Sequence, residues 1–105
     1  MTYEKMTSIL DELKIKYAYF QFEPGELDDE DKYIAYFEVG KQKFLADDKV
    51  YHYEPHFAVE LYTRVKDIET EEAFISLLAE NDIPWDGGET VFIDSEQMFL
   101  TTFYV

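Results

Sequence analysis

The stretch from Val50 to Val65 constrains the fold most, because it joins the longest run of strand-forming residues to the start of a helical pattern. From His56 onward its residues alternate between two faces. One face consists of Phe57, Val59, Leu61 and Thr63. A strand of this kind is typical of the middle of a sheet that packs one face against helices. The sequence therefore predicts a sheet organised around residues 56–64.

Composition limits the class of protein and the kind of partner. The chain has 105 residues, which favours a single domain over residues 1–105. Asp and Glu total 24 against nine Lys and Arg, a formal net charge of −15 that opposes binding to nucleic-acid phosphates or anionic membranes. Aromatic residues reach 18%, more than a small core can hide. We therefore expect some of them at a surface that meets a partner.

The absence of Cys from the sequence excludes a disulfide framework and thiolate chemistry. No apolar run approaches the ~18 residues of a membrane span, and the N-terminal residues lack a basic-then-apolar signal pattern. We therefore expect the protein to be made and folded in the cytoplasm.

Two amphipathic helices are predicted. The first spans Thr2–Leu13 with Thr2 as its N-cap, and the second spans Asp67–Asn81 with Thr70 as its N-cap. Asn81 is expected to take the left-handed C-terminal position. The apolar stripes are Tyr3, Met6, Ile9, Leu10 and Leu13 in the first helix and Phe74, Leu77 and Leu78 in the second.

The first half of the chain is predicted to contain three strands. Ile15–Phe22 has no polar face, so we expect both faces to be covered, one of them by another subunit. Lys32–Val39 leads to a turn at Gly40-Lys41. Residues 41–55 are expected to form the irregular, projecting half of a hairpin because Pro55 lacks a ladder donor, and His56–Arg64 forms the regular half.

After the second helix, Trp85-Asp86-Gly87-Gly88 predicts a turn, and Glu89–Ile93 and Met98–Val105 predict a terminal hairpin. The resulting order is α-β-β-β-α-β-β. The predicted fold is α+β, a mostly antiparallel sheet with a long hairpin, covered by two helices.

Acidic residues form a run at Asp28, Asp29, Glu30 and Asp31. The run lacks the alternating D-x-D-x-D-G pattern that lets a loop surround calcium. We interpret it as a solvated loop.

His52, Glu54 and His56 have a spacing that can hold zinc on a straight strand. Pro55 predicts a kink that would spoil this geometry, so the structural interpretation is favoured and no metal is predicted. Gly87-Gly88 is not a phosphate cradle, because no Lys follows and both neighbours are acidic. No nucleophile-and-base set stands out, so neither a cofactor nor catalysis is predicted.

Aromatic residues concentrate in the irregular part of the hairpin. Tyr is enriched at interfaces between subunits, whereas a cross-strand ladder on an exposed face is the alternative interpretation. We favour a partner or oligomer interface over the segment Tyr51, His52, Tyr53 and Glu54, and a core position for Phe57.

Three sequence segments carry a family resemblance: ADDKVYHYEP at 46–55, HFAVELY at 56–62 and ENDIPW at 80–85. Together with the order of elements, they resemble the tail terminator proteins of long-tailed phages and prophages of Gram-positive bacteria. These proteins are also called tail completion or head–tail joining proteins.

The resemblance implies a structural protein of the virion without catalysis. Such proteins form a hexameric ring that caps the tail tube, stops its polymerisation and docks onto the head connector. The implied partners are further copies of the chain, the major tail tube protein and a head-closure protein, at the head-proximal end of the tail. DNA passes through such a ring without specific binding, so the acidic loop Asp28–Asp31 is expected to face the passage.

A second hypothesis rests on the same charge of −15. An acidic protein with carboxylates at phosphate-like spacing could mimic DNA and block a basic nucleic-acid-binding protein of the host. Competition with duplex DNA would distinguish this function from ring formation.

Overall fold

The computed structural model describes the backbone of residues 1–46 and 49–105 and the side chains of residues 1–40 and 54–105. The elements in this part of the chain are α1 (Tyr3–Leu13), β1 (Tyr17–Tyr19), β2 (Lys32–Ala46), β3 (Lys49–Thr63), α2 (Ile68–Glu80), β4 (Asp86–Ile93) and β5 (Met98–Tyr104). The strands form one five-stranded sheet in the order β1-β2-β3-β5-β4. β1 is parallel to β2, and all other neighbours are antiparallel. The predicted α+β class and order of elements are confirmed.

Both helices pack on the same face of the sheet. The core contains Met6, Ile9 and Leu10 of α1, Phe74 and Leu78 of α2, and Ile34, Tyr36, Phe57, Val59, Leu61, Phe103 and Val105 of the sheet. The alternation predicted for β3 is confirmed, since Phe57, Val59, Leu61 and Thr63 are all buried. Full burial of a large apolar side chain such as Phe57 contributes roughly 1.5–3 kcal/mol. β3 therefore lies at the centre of the core.

The helix ends follow capping chemistry, with two differences from the sequence prediction. Thr2 caps α1 as predicted, and its side chain accepts a hydrogen bond from the backbone N–H of Lys5. α2 is capped by Asp67 rather than Thr70, because Thr70 is the third helical residue and donates its backbone N–H to the Asp67 carboxylate. The left-handed residue after α2 is Asp82, with φ +56°, and not Asn81.

The long hairpin differs most from its prediction. Gly40-Lys41 is not a turn, because β2 continues to Ala46 and pairs along its length with β3. A register shift between Glu38 and Gly40 makes Val39 an extra residue in the ladder, and the glycine extends the strand past this bulge. The half predicted to be irregular is paired with β2, Pro55 opposite Lys41, but a second register shift between Phe44 and Leu45 makes Tyr51 an extra residue, so part of the predicted irregularity is present. Among the described strands, only β2 pairs with β3 at Pro55, so the missing N–H does not interrupt the sheet.

Two other predicted boundaries are wrong for backbone reasons. β1 covers only Tyr17–Tyr19, because Phe20 has φ +70° and leaves the extended conformation. The turn predicted at Trp85–Gly88 is instead the start of β4, where Gly87 and Gly88 both have φ +86° beside a register shift. A Cβ on Gly87 would lie 2.6 Å from the Thr102 carbonyl oxygen, so glycine permits this close approach. The β4–β5 hairpin itself is confirmed.

Candidate interaction surfaces

The face of the sheet opposite α1 and α2 carries a broad set of aromatic and aliphatic side chains. We call it the open face and define it by Phe20, Phe22, Tyr33, Phe37, Tyr62, Val91, Leu100 and Tyr104. Strand register places Tyr33, Tyr62, Leu100 and Val91 in one row across β2, β3, β5 and β4. The core cluster formed with the helices contains none of these residues. The sheet is therefore apolar on both faces, but the two helices cover only one.

Ring contacts organise the β2 side of the open face. Tyr33 and Tyr62 stack with centroids 4.9 Å apart and planes 15° from parallel. Phe22 meets Tyr33 edge-on at 5.4 Å, and Phe20 meets Phe37 edge-on at 5.5 Å. Such pairs add about 0.5–1.5 kcal/mol each beyond burial of area. These ring contacts define the shape of the aromatic surface within the single chain.

Parts of the open face remain accessible to solvent at both margins of the sheet. Phe20 is 65% exposed beside β1, and Val91 is 57% exposed on β4. Single exposed apolar residues are common, but a row of apolar and aromatic side chains that crosses a sheet is typical of a surface that contacts another molecule. The open face is therefore the strongest candidate for an interface among the described residues.

Burial and neighbouring carboxylates favour the neutral form of two tyrosines on the open face. Burial raises the pKa of Tyr62, and so does the neighbouring Glu60 carboxylate, which accepts a hydrogen bond from the Tyr62 hydroxyl at 3.2 Å. Burial and the charge of Glu96 raise the pKa of Tyr33. Both hydroxyls therefore stay protonated at neutral pH. Glu60 and the exposed Glu89 flank Thr102 on the same face, so this face carries acidic groups near its centre.

The second candidate surface is the outer part of the long hairpin. β5 accompanies β3 only from Ala58 to Thr63, apart from two hydrogen bonds between Phe57 and Val105. Beyond that point, residues 40–46 and 49–55 pair only with each other within the sheet, and we call them the arm. Six residue steps of about 3.3 Å give the arm a length of roughly 20 Å.

The predicted interface residues Tyr51, His52 and Tyr53 belong to the arm, but their side chains lie outside the described residues. Glu54 is described and half-buried, and its carboxylate accepts a hydrogen bond from the Met1 amino group at 2.6 Å. This contact ties the base of the arm to the segment before α1. The zinc alternative involves His52, whose side chain lies outside the described residues, and the described residues contain no group of three His, Cys, Asp or Glu side chains suited to a metal ion.

A groove of about 610 Å³ lies at the base of the arm. Glu54 and His56 line one side, and the segment from Asn81 to Asp86 lines another. Trp85 is 41% exposed there and packs edge-on against the buried Phe103. The groove places a large aromatic side chain beside the arm, a position at which a bound partner would contact both.

The acidic loop is largely open to solvent. Asp28 and Asp29 are exposed, whereas Glu30 is half-buried. Asp31 is exposed, and its carboxylate lies 3.3 Å from Nε of Arg64, while its carbonyl oxygen accepts the Arg64 backbone N–H. A pair this exposed contributes at most about 1 kcal/mol. The exposed carboxylates of Asp28 and Asp29 are thus available to repel or attract a charged partner.

Sequence reasoning found the arm but missed the open face as a unit. The signal was present in the alternation of Tyr33, Ala35 and Phe37 and in the apolar character of both faces of the Ile15–Phe22 segment. What the sequence could not supply was the pairing that aligns these residues with Tyr62 and Leu100. The register of β2, β3 and β5 creates that row.

No protein-family model matches the chain, and no curated protein shows significant similarity to it. Within the residues that the structure describes, neither helix has the length and apolar character needed to span a bilayer.

Proposed function

We propose that this protein is a tail terminator of a long-tailed phage or prophage. In this role it forms a hexameric ring on the end of the tail tube, stops tube polymerisation and joins the tail to the head connector. The role is structural and involves no catalysis or cofactor. The protein would be assembled in the host cytoplasm and would end in the virion, at the head-proximal end of the tail.

The observation that carries the proposal is the open face. An apolar sheet face that stays in water adds no stability to a monomer. Each Å² of apolar area that a partner covers stabilises the assembly by about 25 cal/mol. A ring covers such a face on every subunit by repeating one contact. The family resemblance of residues 46–62 and 80–85 supplies the kind of assembly, and the open face and arm supply surfaces through which it would form.

The charge of the chain also supports a DNA passage. A formal −15 per copy gives a ring walls that repel phosphates, so that DNA slides without binding. Asp28 and Asp29 are exposed and would serve such a wall. The same charge makes copies repel one another, so closure of the ring would be favoured by salt or by contact with the tube and head-closure proteins.

The test combines the purified chain with the major tail tube protein encoded beside it. Native mass spectrometry should detect six copies together, and electron microscopy should show tubes that stop growing when the chain is added. A chain that stays monomeric and leaves tube length unchanged at every salt concentration would refute the proposal. Flanking genes for a tail tube and a connector would support it independently.

The exposed carboxylates of the acidic loop favour one second candidate, the DNA mimic. Such a protein would compete with duplex DNA for a basic host protein, and the competition would weaken as salt rises. Substituting Asp28→Asn and Asp29→Asn together should then reduce the competition. A terminator should instead show no competition with DNA in the same assay.

A further inference from the structure

We infer that the arm of one copy lies across the open face of the next copy, so that subunits join head to tail. This inference deepens the proposed function and rests on its premise that copies of the chain associate. It specifies which two surfaces meet and predicts that the contact is heterologous rather than two-fold symmetric.

The geometry of the arm favours contact with another copy. The arm continues the β2–β3 ladder away from the remainder of the sheet, so it cannot fold back onto its own open face without breaking that ladder. Its length of roughly 20 Å equals the width of a sheet of five strands, which is about 19 Å at a spacing of 4.8 Å. An arm laid across the strands would therefore reach from the Phe20 margin to the Val91 margin of a neighbour.

Charge favours the arm over a second open face as the occupant. The arm and the two residues between its strands, taken together as residues 40–55, contain Lys41, Lys43 and Lys49 against Asp47, Asp48 and Glu54, so this segment has no net charge while the whole chain carries −15. Two open faces in contact would bring Glu60 and Glu89 of both copies together. A segment without net charge avoids that repulsion.

The residue types of the arm and the growth of the assembly also fit this contact. The arm contains Phe44, Tyr51 and Tyr53, residue types that suit an aromatic face that already holds stacked tyrosines. A copy that donates its arm keeps its own open face available for another arm. Repetition of such a contact gives a closed ring when the rotations between successive copies add up to a full turn.

Two complementary variants test the contact. The arm-deleted variant replaces residues 41–55 with Asn-Gly, which suits a two-residue hairpin turn between Gly40 and His56. The face variant combines Phe20→Asn with Val91→Glu, both at exposed side chains, and keeps the arm. Ile68→Glu is the matched control, since Ile68 is 58% exposed at the start of α2 on the helix side. Circular dichroism and cooperative thermal unfolding establish that each variant is folded.

Native mass spectrometry and sedimentation then read out association. Each of the two variants alone should remain a monomer, against a wild-type monomer mass of 12.5 kDa, and an equimolar mixture should form a one-to-one complex. The mixture has one intact arm and one intact face, so the complex stops at two chains. The Ile68→Glu protein should associate as the wild type does.

Other outcomes overturn the inference. A mixture that remains monomeric, or a face variant that associates by itself, means that arm and face do not meet. Rings formed by the arm-deleted protein also overturn it, yet leave the terminator function intact. If the variant mixture forms a one-to-one complex but the wild-type chain does not affect tube growth, the terminator function is refuted and the contact between arm and open face stands.

Discussion

The cap of α2 allows one prediction to be worked out from its contacts. The Asp67 carboxylate accepts hydrogen bonds from the Thr70 backbone N–H at 3.1 Å, the Thr70 hydroxyl at 2.8 Å and the Lys32 ammonium at 3.0 Å. Lys32 opens β2, so this carboxylate joins the start of the helix to the sheet. Replacing Asp67 with Ala removes all three contacts together.

The expected cost follows from two contributions. Loss of an N-cap typically costs about 1 kcal/mol, and a partly exposed ion pair such as that with Lys32 adds up to about 1 kcal/mol. We therefore expect Asp67→Ala to lower the free energy of unfolding by roughly 1–2 kcal/mol. For a domain of this size, that corresponds to a melting temperature lower by about 4–9 °C.

Asp67→Asn is the matched control, because Asn is an equally good N-cap but cannot form the ion pair. Urea unfolding of both variants and the wild type at pH 7 should place Asn between Ala and the wild type. If Asp67→Asn destabilises the chain as much as Asp67→Ala, the cap hydrogen bond contributes nothing. If both unfold like the wild type, the helix is held by other contacts and the argument from capping is refuted.

The ion pair also predicts a pH dependence. Burial raises the pKa of the Asp67 carboxyl, but hydrogen bonds from Thr70 and the Lys32 ammonium outweigh it and leave that pKa below its ordinary value of 3.8. A carboxyl with a lowered folded-state pKa adds stability above its unfolded pKa and loses it as pH falls through the folded pKa. The difference between wild type and Asp67→Asn should therefore shrink below about pH 4. A difference that stays constant to pH 2 would contradict this reasoning.

Three further predictions concern the core, the acidic loop and a tyrosine. Phe57→Ala removes a fully buried ring and should cost about 3–5 kcal/mol in urea unfolding, whereas Val65→Ala, at a position 71% exposed, should cost little. Substituting Asp28, Asp29 and Asp31 with Asn should change the free energy of unfolding by less than about 1 kcal/mol, and a collapse of thermal stability would instead reveal an ion site or buried contact. A hydrogen bond to Asp11, followed by burial and the charge of that carboxylate, raises the pKa of the Tyr17 hydroxyl to about 12. Stability should therefore fall as pH rises above the ordinary tyrosine pKa of 10.0, and Asp11→Asn should lower the Tyr17 pKa in an ultraviolet titration.

Local chemistry predicted the elements well where one residue type decides the conformation. Thr2 caps α1, and the alternation over residues 57–63 specifies a strand with one buried face. Predictions failed where two residues offered the same chemistry. Asp67 and Thr70 can both act as caps, and only the position of the helix in the fold selects Asp67.

Glycine and proline gave misleading boundaries for a related reason. Gly40 and Pro55 are typical of turns and strand ends, yet both lie within paired strands. A bulge accommodates the extra residue beside Gly40, and the free edge of β3 tolerates the missing N–H of Pro55. These conditions depend on which strands are neighbours, and the sequence does not state that.

The candidate interface likewise has features that the sequence determines and features that only the tertiary structure determines. The sequence by itself determined that the chain is acidic, rich in aromatic residues and built as an α+β domain around residues 56–64, because composition and periodicity are local properties. Only the tertiary structure decided that both helices cover one face of the sheet, and that Tyr33, Tyr62 and Leu100 form a row on the other. Strand register produces that row, since it brings together residues far apart in sequence through contacts that no local pattern encodes.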